Sequence, residues 1–159
     1  MIRRAILVTT IGLLTVLGTS ACNMLSPVAT FKVYAPSDGT NGDLGFVKAR
    51  NVIYFTDGKG HGALYGAFAN SSSVAQDFAL KLNDGVKGPV YRQFKVGSYK
   101  VLNFGYQNKT ALKIALKGKP GDITTVLLYN DTGSVKLSVP VLDGTLPVYA
   151  DIVNSLATN

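Results

Sequence analysis

The chain has 159 residues, 47% hydrophobic and 16% charged, with no tryptophan, one cysteine and a formal net charge of +7. One cysteine excludes an internal disulfide framework, so stability must come from buried apolar surface. The length allows one domain with a real core and not comfortably two.

The chain opens on Met1-Ile2-Arg3-Arg4, an apolar run from Ala5 to Leu17, and the small residues Gly18, Thr19, Ser20 and Ala21 ahead of Cys22. A basic start, an apolar centre and a small-residue cleavage site in that order form a secretory signal. The apolar run falls short of the roughly 20 residues a spanning helix needs. Thr19-Ser20-Ala21-Cys22 resembles the lipobox of bacterial lipoproteins, with Thr19 where leucine is common. The resemblance implies that the Cys22 thiol carries a diacylglycerol before cleavage. Residues 1–21 are then a cleaved lipoprotein signal peptide, residues 22–29 a lipidated tether and residues 30–159 the folded domain. Two or more acyl chains make membrane attachment stable where one does not, so the domain is expected at the outer face of the cell membrane. Ordinary secretion with a free Cys22 thiol, or an uncleaved anchor, are the competing readings.

Strand signals follow one another from there. Thr30 to Ala35 is a first run, and Pro36 to Asp43 reads as a loop by composition. Phe46 to Thr56, Ala63 to Ala69 and Val74 to Leu82 are the next strands, with Gly-rich Asp57 to Gly62 and Asn70 to Ser73 as turns. Phe78, Leu80 and Leu82 alternate with Asp77, Lys81 and Asn83, which is period two. Val90 to Val96, Tyr99 to Gly105, Leu112 to Leu116, Ile123 to Tyr129 and Ser134 to Val141 continue the pattern. Tyr149 to Leu156 reads as a short helix or a frayed tail. Strands of this length and spacing predict an all-β domain, an antiparallel immunoglobulin-like sandwich of about seven to nine strands.

Charge is unevenly spread. All nine acids are aspartates, and none falls between Asp84 and Asp122. That interval carries Lys87, Arg92, Lys95, Lys100, Lys109, Lys113, Lys117 and Lys119. Such a stretch suits an anionic membrane surface or an acidic cell-wall polymer. It also suits a lysine-lined, solvated sheet edge that blunts edge-to-edge pairing. No nucleic-acid-binding motif is present, and nucleic acid is not an expected partner.

Catalytic signatures are weak. Asn130-Asp131-Thr132-Gly133-Ser134 resembles the Asp-Thr-Gly-Ser turn of aspartic proteases, which need two such carboxylates sharing a proton. One copy between two apolar runs reads better as a hairpin connection. His61 is the sole histidine, no Gly-x-Ser-x-Gly elbow accompanies it, and one imidazole without a thiol partner is poor metal-site material. Gly58-Lys59-Gly60 lacks the ending of a phosphate-binding loop. The chain is expected to be no enzyme and to use no cofactor.

Two further segments carry a likeness. Ser37-Asp38-Gly39-Thr40-Asn41-Gly42-Asp43-Leu44-Gly45, followed by Ala49-Arg50-Asn51-Val52, resembles the opening of small actinobacterial cell-envelope lipoproteins. Val139-Pro140-Val141-Leu142-Asp143-Gly144-Thr145-Leu146-Pro147-Val148-Tyr149-Ala150-Asp151 resembles their closing segment. This implies an exported, membrane-attached, immunoglobulin-like domain without an established activity, with Asp38-Gly39 and Asp143-Gly144 as turn formers. The group is distantly similar in architecture to periplasmic copper chaperones, which bind Cu(I) through methionine and histidine. Beyond Met1, this chain offers Met24 and His61. The expectation is therefore a non-catalytic binding or structural module of the envelope, its partner an envelope protein or anionic wall polymer. A small-ligand or metal carrier is the alternative.

Overall fold

The computed structural model of the protein describes residues 37–84 and 88–157. The signal and tether (1–29, with Cys22), the expected strand Thr30 to Ala35 and Lys87 lie outside the described residues.

The all-β expectation holds. Nine strands follow in order among the described residues: β1 (Thr40–Leu44), β2 (Val47–Thr56), β3 (Gly62–Asn70), β4 (Gln76–Asp84), β5 (Gly88–Val96), β6 (Val101–Phe104), β7 (Leu112–Lys113), β8 (Ile123–Asn130) and β9 (Gly133–Leu142). A single helix, α1 (Pro147–Asn154), and a 3-10 turn (Ser155–Ala157) end the described chain. Pro147 sits in the first turn of α1, where its missing N–H costs nothing.

The strands form one curled sheet in the order β5-β4-β8-β9-β2-β3-β6, with β1 on β2 and β7 on β3. The expected arrangement was antiparallel throughout, but the sheet is mixed: β2 and β9 run parallel, pairing Tyr54 with Val141 and Phe55 with Leu142. This short parallel contact joins two antiparallel halves, so the sheet folds over on itself around one core. Val47, Val52, Tyr54, Leu64 and Phe68 from one half meet Leu80, Leu82, Val126, Leu128, Leu137 and Val139 from the other.

The free edges β5 and β6 are consecutive in sequence and lie at the two ends of the strand order. Four phenylalanines fill the space between them. Phe68 stacks on Phe78 at 5.1 Å, Phe78 meets Phe94 at 5.5 Å, and Phe94 on β5 meets Phe104 on β6 at 4.9 Å. Each such pair contributes about 0.5–1.5 kcal/mol beyond the area it buries.

A bulge in β2 directs the rest of the architecture. Arg50 pairs with Ala67 but Ile53 with Tyr65, so β2 holds one extra residue. Asn51 takes it up in left-handed backbone, at φ +48°. The parity of β2 changes there: Val47 and Ala49 face the main core before the bulge, Val52 and Tyr54 after it. Ile53 and Phe55 are thereby sent to the outer face, where Ala63, Tyr65, Val153 and Leu156 bury them. The bulge is thus what gives α1 an apolar surface to pack on.

Candidate functional site

The described members of the basic stretch follow the open side of the curled sheet. Arg92 and Lys95 are on edge strand β5, and Lys100 is in the turn that joins β5 to edge strand β6. Lys109 lies in the loop after β6, Lys113 on β7, and Lys117 and Lys119 in the connection to β8. All seven are exposed. Of these seven, only Lys95 has a carboxylate partner among the described residues, Asp77 at 3.4 Å. The stretch does not gather into one patch; it runs from one end of the sheet to the other.

The far end collects Lys113, Lys117 and Lys119. The Ile114 amide donates to Gly62 O at 2.9 Å and the Lys117 amide to Asn83 O at 3.2 Å, which ties this segment to the ends of β3 and β4. The Leu116 amide donates to the buried Tyr54 hydroxyl at 2.9 Å. A cleft of about 310 Å³ lies beside them, lined by Tyr54, Thr56, Gly58, Gly60, Gly118 and Lys119 among others. Clustered exposed ammonium groups of this kind attract a polyanion by charge alone.

His61 is at the same end, in the β2–β3 turn, with Nδ1 2.6 Å from Asp57 Oδ2. Partial burial pushes the Asp57 carboxyl up, but the His61 side chain and the amides of Lys59 and His61 outweigh it and hold the group below its ordinary value. The Asp57 side chain also accepts both amides, at 2.7 and 3.1 Å, so the pair organises its own turn. Among the described residues, no three His, Cys, Asp or Glu side chains converge as a metal site would require.

The other singled-out positions serve turns or clasps. In the β8–β9 hairpin it is Asn130 Oδ1 that accepts the Thr132 amide and hydroxyl, while Asp131 is exposed. Asp143 Oδ1 accepts the Thr145 amide at 2.9 Å, which lowers the Asp143 carboxyl below its ordinary value. The Gly39 amide donates to Asn51 Oδ1 at 3.0 Å, and a Cβ on Gly39 would collide with Asn51 backbone. Asp38 accepts the Tyr149 phenol.

Sequence reasoning missed two polar centres. Asn51 Nδ2 donates to Tyr106 Oη at 2.8 Å while Tyr106 Oη donates to Asn51 O at 2.9 Å. Burial, first, and the neighbouring Tyr149, Tyr65 and Asp38 push the Tyr106 phenol up to about 12. The second centre is Asn70, 3% exposed, whose Nδ2 donates to Val74 O, Gly97 O and Val96 O at 2.7, 3.0 and 3.3 Å. Its Oδ1 accepts the Ser72 amide and hydroxyl, both at 2.8 Å. Only the end-of-strand Asn-Ser-Ser composition hinted at it.

Comparison with known proteins adds the fold. No protein-family model matches the chain, and no curated protein does. Among solved structures, the copper-bound PCuAC domain from PmoF2 is similar with a TM-score of 0.50 and 13% identity, over 65% of this chain and 97% of that one. At that identity the likeness is one of fold: this chain shares the strand architecture of a PCuAC domain.

Proposed function

We propose that this chain is an exported, lipid-tethered, non-catalytic module that holds an anionic envelope polymer near the membrane. The observation that carries the polymer contact is the set of exposed cations from Arg92 to Lys119, spread over β5, the β5–β6 turn and the segment after β6, of which only Lys95 has a carboxylate partner among the described residues. The lipobox-like Thr19 to Cys22 supports the tether. Contacts of this kind weaken as salt rises, because exposed charges are screened beyond about 8–10 Å at physiological ionic strength. Neutralising Lys100, Lys109 and Lys113 together, each to Gln, tests the contact. Retention on a teichoic-type polymer column should fall and should depend less steeply on salt, whereas unchanged retention would remove the reading.

A second reading, a small-ligand or metal carrier, has the fold likeness to the copper-bound domain in its favour. Its difficulty is the donor set. His61 is the sole imidazole, and thioether or thiol ligands would have to come from Met24 or Cys22, since Met1 opens the signal. Titration of Cu(I) against a competing chelator, with wild type and His61→Ala, separates the two. Stoichiometric binding that His61→Ala abolishes would favour the carrier.

A further inference from the structure

Four strand connections meet at one end of the curled sheet. They are Gly45-Phe46 between β1 and β2, residues 71–75 between β3 and β4, residues 97–100 between β5 and β6, and residues 131–132 between β8 and β9. The pairings Val47 with Asn70, Ala69 with Val101 and Gln76 with Val96 place the first three side by side. This end carries exposed apolar side chains: Phe46 at 57% exposure, Val74 at 65%, Tyr99 at 70% and Val101 at 54%. It is the opposite end from the Lys113 to Lys119 segment.

The arrangement is rigid. Buried Asn70 ties the β3–β4 turn to the β5–β6 turn through Val74 O, Val96 O and Gly97 O. The Ser71 amide donates to Phe46 O at 3.0 Å, which adds the β1–β2 turn. Tyr99 is held at φ +50°, an unfavourable backbone for tyrosine, by donation of its amide to Ser72 O at 3.1 Å. A strained residue presenting an aromatic ring to solvent serves no packing purpose in the fold. A side chain already fixed outward loses little freedom on binding.

We propose that this end, through Phe46, Val74, Tyr99 and Val101, docks into the headgroup layer of the bilayer to which the chain is tethered. The inference rests on the tether reading given above. Chain length argues for lipid as the occupant. The described chain enters at Ser37 to Gly39, beside Asn51 of β2. Phe46 is five positions back along that strand, about 17 Å away. Residues 22–36 span at most ~50 Å when extended. A lipid on Cys22 is therefore within reach of this end, and the tether converts a weak contact into an intramolecular one. Tyrosine beside aliphatic side chains is also the composition of a membrane–water interface. Charge does not drive the contact. Lys48 pairs with Asp43 and Lys95 pairs with Asp77 at this end.

The absence of tryptophan from the chain provides the test. The lipidated protein carrying Tyr99→Trp is reconstituted into phosphatidylcholine vesicles with brominated acyl chains. Val148→Trp, on α1 and 72% exposed, is the reference, and Phe46→Trp is a second probe of the same end. Tyr99→Trp and Phe46→Trp fluorescence should be quenched several-fold more than Val148→Trp, in high salt as in low. Equal quenching of all three in vesicle-bound protein overturns the docking and leaves the tether standing. Recovery of the protein free of vesicles overturns the tether and the docking with it. A blue-shifted Tyr99→Trp emission in detergent-free solution without vesicles would assign this end to self-association instead.

Discussion

The phenol of Tyr149 on α1 donates to the carboxylate of Asp38 in the first described turn, 111 positions earlier. Tyr149 also lies 5.0 Å from Phe55, on the outer face that the β2 bulge creates. One side chain therefore fixes both the closing helix and the entry of the chain into β1. Asp38 is exposed, so loss of the bond leaves no buried orphan. Tyr149→Phe should lower stability by about 1 kcal/mol, read as a shift of the urea midpoint at constant slope.

Tyr106 should matter more. Its hydroxyl satisfies both the side chain and the carbonyl of Asn51, at the left-handed residue of the bulge. Tyr106→Phe leaves those groups half-buried without a partner and should cost about 1–3 kcal/mol. Thermal unfolding of the two single variants and the double variant would show whether the clasps act as a unit.

Both clasps need protonated phenols, and that sets an alkaline limit. The hydrogen bond to Asp38, then burial and the Asp38 charge, push Tyr149 from 10.0 up to about 12, and burial does most of the same for Tyr106. The folded-state values are raised above the unfolded one, so the contribution is whole below pH 10. It is lost as pH rises from 10 through about 12. Melting temperature should fall across that window, and fall less in the Tyr106→Phe/Tyr149→Phe variant.

Gly62 should be intolerant of any side chain. A Cβ there would land on the ring and hydroxyl of Tyr54, which accepts the Leu116 amide. Since Tyr54 is 1% exposed, it cannot swing aside without opening the core. Gly62→Ala should destabilise by about 1–3 kcal/mol through overpacking. Gly133→Ala, with open space around it, should cost less despite its positive φ. Chemical denaturation of the pair checks the ranking.

The strands with regular alternation were legible in advance, and the reasons are local. In β4, Phe78, Leu80 and Leu82 face one core while Asp77 and Lys81 face water, so period two is preserved. Where a strand serves two faces or lacks side chains, the signal fails. β1 reads as a loop because Thr40-Asn41-Gly42-Asp43 has turn composition. It forms a strand because Gly42 allows Leu137 to come close to the β1 backbone. β7 is shorter than Leu112 to Leu116 because Leu116 gives its amide to the Tyr54 hydroxyl rather than to a ladder. The parallel β2–β9 contact depends on two residue pairs far apart in sequence, which no periodicity encodes. The basic stretch was visible as composition, but its division between two sheet edges and one far end followed only from the strand order.

The far-end lysines give the polymer reading a sharper form. If the turns at the Tyr99 end face the bilayer, Lys113, Lys117 and Lys119 point away from it, toward the wall. Replacing those three with Gln should weaken retention on an anionic polymer more than replacing Lys48, Lys81 and Lys136, at equal change in charge. Elution salt concentration on the same column measures the difference, and it should narrow as ionic strength rises.

Attachment through Cys22 underlies the whole account, and metabolic labelling with an alkyne-bearing palmitate tests it most directly. Wild-type chain should incorporate the label and sediment with membranes, while Cys22→Ala should take up none. A labelled Cys22→Ala chain, or an unlabelled wild-type chain in the soluble fraction with residues 1–21 still joined, would contradict it.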